Sequence, residues 1–243
     1  MKVGVFDSGI GGLSVLRELK RLLPDCDFLF YGDNKNNPYG EKSDEELMAI
    51  VSRVVEYLRD QGCEVIVIAC NTATTRCRNK LIAKYPDLTF IGTVPAVKVA
   101  SDRNYKRTLV MATPATIRSE RMYELIRDNK KEDQIIYTIP CRGLANAIET
   151  RQEKRIDMIL KRIFRSYLDK DIDSIVLGCT HYPFIKDKIQ AYFPKAALLD
   201  GANGVARETR HQLILKGYQP QNREGTITYL TSNGQAIPED LKV

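Results

Sequence analysis

In "EVIVIACNTATTR" (residues 64–76) an acidic residue precedes five apolar ones, and the run ends on Cys70 and a polar stretch. Five apolar residues without polar alternation predict a parallel strand covered on both faces. "DSIVLGCTHYP" (173–183) repeats the arrangement and again delivers a cysteine, Cys179, to the strand's end. Working outward, similar runs predict strands near 3–6, 27–32, 89–93, 107–112, 134–139, 196–199 and 226–230. Helical patterns lie between them. In the clearest, from Ser43 to about Asp60, Ser43 and Glu46 form an S-x-x-E capping box. Leu47, Ile50, Val51, Val54 and Leu58 then share one face. Strand–helix alternation of this kind predicts α/β layers, doubly wound around parallel sheets.

Nearly equal intervals separate Asp7 from Cys70 and Thr113 from Cys179, each running from the loop after a strand to a later strand-tip cysteine. This predicts two doubly wound units related by a pseudo-twofold, with the active site in the cleft between them. The expected division is 1–96 plus about 206–243 for the first domain and 97–205 for the second, the final strand returning to the first. Ligands of open α/β sheets bind outside the carboxyl ends of the strands, where all four of these residues fall.

The 243 residues, 43% of them hydrophobic, can bury a sizeable core. No apolar run approaches the ~20 residues of a membrane span, and no secretory signal is evident, so a cytoplasmic location without a membrane partner is expected. The net charge of +6 comes from 37 basic and 31 acidic residues. Much of the excess lies in patches such as "RQEKRIDMILKRIFR", where acids are interleaved. That pattern reads as a solvated helix face, and no nucleic-acid partner is expected. A cytosolic protein keeps its thiols reduced, so the six cysteines predict no disulfide framework, and with no C-x-x-C pair and one nearby histidine no metal site is predicted.

Two opposed thiols suit inversion at a tetrahedral carbon. One thiolate removes a proton from one face while the other thiol donates to the opposite face, a task a single base performs poorly. The ordinary thiol pKa of ~8.5 is within reach of adjustment by nearby donors. Backbone N–H groups of Asn71, Thr72, Thr180 and His181 could supply them at strand-to-helix turns. His181 could exchange a proton with Cys179, and Asp7 with Cys70. His211 carries no assigned role.

Other motifs leave alternatives open. "DSGIGGLSV" (7–15) matches neither phosphate-loop pattern, and reads either as a tight turn into a helix or as a loop presenting Ser8 to a charged ligand. "NPYGEKS" (37–43) reads as a turn leading to the Ser43 cap. "CNTATTR" (70–76) fits the C-x5-R loop of cysteine phosphatases, with Cys70 as nucleophile and Arg76 as phosphate grip. It lacks a glycine, however, and leaves Cys179 and His181 unexplained.

Together, "VFDSGIGGLSV", "NPYG", "ACNTAT", "VPAVK", "ATPATIRSERMY" and "GCTHYP" resemble the glutamate racemases, in the same order from residue 3 to about 207. The resemblance implies a cofactor-independent isomerase of two α/β domains that interconverts L- and D-glutamate and supplies D-glutamate for peptidoglycan. It implies Cys70 and Cys179 as the acid/base pair. It places Asp7, Ser8, Tyr39, Gly40, Asn71, Thr72, Thr180 and His181 around the substrate, with Thr113 and Thr116 in support and Glu149 as a nearby charge. A homodimer is also implied. Aspartate racemases usually differ in the glycine-rich opening and in carrying glutamate where His181 stands. Two positions depart from the family pattern: Asn36 replaces an arginine, and Gly201 replaces a frequent serine.

Overall fold

The computed structural model describes all 243 residues, which divide into two compact units, Met1–Thr93 with Ala202–Val243, and Val94–Gly201. The expected domain limits lie a few residues beyond these. Nine strands form the units: β1 Lys2–Asp7, β2 Asp27–Gly32, β3 Val65–Ile68, β4 Thr89–Gly92, β5 Arg107–Ala112, β6 Ile135–Pro140, β7 Ser174–Gly178, β8 Ala197–Leu199 and β9 Ile227–Thr231. Ten helices connect them: α1 Leu13–Leu22, α2 Asp44–Asp60, α3 Asn71–Lys84, α4 Val97–Asp102, α5 Pro114–Ile117, α6 Glu120–Asn129, α7 Leu144–Glu149, α8 Glu153–Phe164, α9 Lys186–Tyr192 and α10 Ala202–Leu215. No helix is long and apolar enough to cross a membrane.

The first unit holds a sheet of order β4-β3-β1-β2-β9, and the second a sheet of order β6-β5-β7-β8. Every pairing is parallel. In each sheet the chain steps from its first strand to one side, then crosses to lay its third strand on the other side. That reversal is the switch point at which open α/β sheets form crevices. Cys70 follows β3, the third strand of its sheet, and Cys179 follows β7, the third strand of the other. The two cysteines therefore occupy the same topological position.

Side-chain alternation along the strands feeds two helical layers. Phe6, Leu29, Ile66 and Ile68 pack with Leu47, Val51, Val55 and Leu58 of α2. In the second unit Leu109, Met111, Ile175 and Leu177 face α7 and α8, while Val110 and Val176 face Val97 and Ala100 of α4 and Met122 of α6. The α2 capping box forms as the pattern predicts: Glu46 N–H donates to Ser43 Oγ at 3.1 Å and Ser43 N–H to Glu46 Oε2 at 2.9 Å.

The returning strand β9 pairs with β2, Phe28 opposite Ile227. A polar clasp fixes the segment leading into it. Arg223 holds Asp27 through both guanidinium arms at 3.1 and 2.8 Å, and Thr226 donates to the same carboxylate from its N–H and hydroxyl. The Tyr218 hydroxyl and the Gln221 N–H donate to buried Asp25. Gly225 closes the clasp: a Cβ there would lie 1.9 Å from the Cys26 carbonyl oxygen.

Candidate active site

In the first unit the carboxyl ends of β1, β2 and β3 bring together Asp7, Asp33 and Cys70. Asp7 is fully buried and accepts the Gly9 N–H at 3.1 Å. The loop after it stays tight because of Gly12, where a Cβ would approach within 2.6 Å of Asp7 Cβ. Here "DSGIGGLSV" works as a close helix–strand junction, with its serine also at the site: Cys70 Sγ lies 3.9 Å from Ser8 Oγ.

Tyr39 is buried and donates its hydroxyl to Asp33 Oδ2 at 2.7 Å. Asn36 Nδ2 reaches both oxygens of the same carboxylate at 2.9 Å. Burial first, then the charge of Asp33 and its hydrogen bond, raises the Tyr39 phenol well above its ordinary value, and Cys70 and Asp7 add to this electrostatically. The phenol stays protonated and remains a donor. The loop holding Tyr39 and Gly40, a 3₁₀ turn over Tyr39–Glu41, is tethered by Arg76. The Arg76 guanidinium donates to Asp44, to the Lys42 carbonyl at 2.9 Å and to the Tyr39 carbonyl at 3.3 Å. The arginine of the C-x5-R pattern thus serves the loop across from it.

Cys70 is the N-cap of α3, so Asn71 and Thr72 form its first turn, with their N–H groups directed out of the helix's N-terminus. Both residues are buried, and Asn71 Oδ1 has no hydrogen-bond partner. Such an acceptor, held without a donor, is suited to an incoming N–H.

The second unit departs from the expected strand-to-helix turn. After Cys179 the chain makes a 3₁₀ turn, Tyr182–Ile185, before α9 begins. Pro183 sits in the first turn of this segment, a position where its missing N–H is tolerated. His181 therefore stands in a turn. Its Nδ1 is 3.7 Å from Cys179 Sγ and its Nε2 is 2.5 Å from Glu149 Oε2, at the end of α7. Thiol, imidazole and carboxylate form a chain with both side chains beyond the thiol largely out of solvent. Thr180 is buried alongside. Thr113 caps α5: its Oγ1 accepts the Thr116 N–H at 3.2 Å and donates to Thr116 Oγ1 at 3.0 Å.

The other cysteines behave as small buried hydrophobes. Burial raises Cys26, pushes Cys63 and Cys77 up to about 11, and pushes Cys141 up to about 12. Two residues of the first cluster escape a reading of the sequence, Asp33 and Arg76 in its tethering role. Asp33 had a signal, because it follows β2 directly as Asp7 closes β1.

Comparison with known proteins agrees with this geometry. The model of the Asp/Glu/Hydantoin racemase family matches residues 4–209. A glutamate racemase of Clostridium botulinum is 38% identical over 237 residues, covering 96% of this chain and 92% of the relative. The crystal structure of a glutamate racemase isoform from Bacillus anthracis superposes with a TM-score of 0.83 at 29% identity, over 95% of this chain and 88% of that one. The glutamate racemase of Francisella tularensis, solved with D-glutamate, gives 0.81 at 27% identity, over 99% and 90%. With strand-tip thiols at matching places in two parallel α/β sheets, this chain belongs to the Asp/Glu/hydantoin racemase family.

Proposed function

We propose that this protein is a cofactor-independent glutamate racemase, an isomerase in which Cys70 and Cys179 act on opposite faces of the same Cα. One thiolate takes the proton from Cα, the electron pair is held in the planar carbanion, and the opposite thiol returns a proton to the other face. The thiols exchange roles in the reverse direction. The observation that carries this reading is the equivalent placement of the two thiols, each at the end of the third strand of its own sheet and each beside a polar partner. Glutamate as substrate is supported by the names of the relatives and by the D-glutamate bound in one of them.

Roles for the surrounding residues follow from their chemistry. The N–H groups of Asn71 and Thr72 suit the α-carboxylate, where charge accumulates as the carbanion forms. Asn71 Oδ1 suits the α-ammonium, with Asp7 providing the negative charge. Tyr39, Gly40, Thr180 and Ser8 complete the substrate's hydrogen bonds. His181, held by Glu149, relays protons to Cys179, and Asp7 serves Cys70. Thr113 and Thr116 brace the second cluster. The same reading includes a cytoplasmic homodimer that supplies D-glutamate for peptidoglycan. Phosphatase chemistry is disfavoured by Arg76, whose donors are committed to the Tyr39 loop.

The test is proton NMR of L-glutamate in D2O with the purified protein and no added cofactor. The expected result is loss of the Cα–H signal with decay of optical rotation, abolished in both Cys70→Ala and Cys179→Ala. Exchange with aspartate and none with glutamate would keep the chemistry and change the substrate. Activity surviving loss of either thiol would overturn the two-base scheme.

A further inference from the structure

In sequence, the stretch around α8 mixes acids and bases. On the helix they separate. At 3.6 residues per turn, Lys154, Lys161 and Arg165 fall within about 40° of one meridian, with Arg162 and Arg155 beside them, an arc of roughly 120° in all. Arg165 keeps helical backbone angles and so extends the stripe past the last residue of α8. The five cations are all exposed, and so is Met158 in their midst, at 65%. The acids of the helix lie outside this arc. Glu153 and Asp157 are both taken by Lys188, at 3.1 and 2.6 Å, although Asp157 stands one turn before Lys161. The one hydrogen bond made by a guanidinium of the stripe joins Arg155 to Gln152, a neutral partner. The opposite face of α8, with Ile156, Ile159, Leu160 and Phe164, is sealed in the core.

We propose that the exposed face of α8 is a docking surface for an anionic phospholipid bilayer. Charge complementarity carries the assignment: a ridge of about 16 Å presents five uncompensated cations and no carboxylate. Clusters of four to eight Lys and Arg on one helix face are what anionic lipid surfaces attract, each adding to affinity within a Debye length. Arginine adds a fork that fits a headgroup phosphate. The side chain at the centre of the stripe is an apolar Met158, and no exposed aromatic side chain stands among the cations to stack on a base, which favours a lipid surface over nucleic acid. Because the apolar face of the helix is committed to the core, contact is peripheral and electrostatic. This goes against the expectation of no membrane partner, which rested on the absence of a spanning segment.

The experiment is co-sedimentation of the full-length protein with vesicles of phosphatidylcholine alone or mixed with phosphatidylglycerol. The comparison variant is Lys154→Gln/Lys161→Gln/Arg162→Gln/Arg165→Gln. Glutamine keeps helix propensity and puts no negative charge near the helix C-terminus. Racemase activity in the variant should match wild type and report an intact fold. The expected result is binding to the anionic vesicles alone, weakened more than about tenfold in the variant and likewise in wild type at about 0.5 M salt. Equal binding to neutral vesicles, binding unchanged in the variant, or tighter binding to a short DNA duplex than to the anionic vesicles would each overturn the assignment.

Discussion

The Nε2 of His181 lies 2.5 Å from Glu149 Oε2, and this contact fixes the ring whose other nitrogen faces Cys179. Glu149→Gln keeps the shape and removes the charge, so the ring loses its preferred tautomer and its support for a transient positive charge. We expect kcat to fall about tenfold to hundredfold, with a displaced limb in the pH profile. Mirror-image substrates have an equilibrium constant of one, so kcat/KM must fall equally for L- and D-glutamate. The asymmetry belongs in the isotope effect: Cα-deuterated substrate should show a larger effect from one enantiomer than from the other. Equal effects from both would mean that Glu149 does not act through a single thiol.

Arg76 ties the Tyr39 loop to α3 through three acceptors on separate residues. Arg76→Ala should raise KM for glutamate more than it lowers kcat, and should cost about 1–3 kcal/mol in urea unfolding. Arg76→Lys should recover little of either, because one ammonium cannot span the three acceptors. A variant with normal KM would remove the loop from the substrate site.

The clasp on β9 should make the protein sensitive to acid in a particular way. Hydrogen bonds from Arg223 and Thr226 hold the Asp27 carboxyl well below the usual carboxylate range, and the Tyr218 hydroxyl lowers that of Asp25. A lowered folded-state pKa contributes stability above the unfolded value of about 3.9 that is lost as pH falls toward the folded value. Asp27→Asn should therefore lower Tm at pH 7. It should also flatten the decline of Tm below about pH 4 relative to wild type. Parallel Tm curves for the two proteins would exclude Asp27 from the acid transition.

Gly12→Ala should place a methyl 2.6 Å from Asp7 Cβ and 3.1 Å from Ala69 Cβ. Overpacking at such a point costs about 1–3 kcal/mol, and displacement of Asp7 should reduce kcat as well. Gly204→Ala is the control, since a Cβ there meets nothing within 4 Å and the position is inside α10. It should leave activity unchanged and raise stability by up to about 1 kcal/mol.

What could be read in advance follows from the range of the forces involved. "VIVI" and "SIVLG" identify their strands from local hydrophobicity alone, and the Ser43 box is a four-residue pattern. The strand-end placement of Cys70 and Cys179, with His181 two residues on, was legible because it needs only the local run of residues. The hold of Asn36 and Tyr39 on Asp33 depends on the bend of a loop, and Arg76 finds its acceptors more than thirty positions upstream. No local pattern encodes either. The 3₁₀ turn after Cys179 was not legible, because the reading rested on the analogy with Cys70. On α8 the linear mixture of signs hid a segregation that only helical periodicity and Lys188, from a neighbouring helix, bring about.

Finally, the pairing of Phe28 with Ile227 sets an order of events during synthesis. Val94–Gly201 is continuous, while the unit around it also needs the segment from Ala202 onward, which emerges later. Until then β2 presents an open edge of unsatisfied N–H and C=O groups, the kind of surface on which nascent chains aggregate. Strand β9 thus acts as the closing stitch of a sheet begun at β1, and a polypeptide cut short before Ile227 already carries both thiols but is still raw along one side.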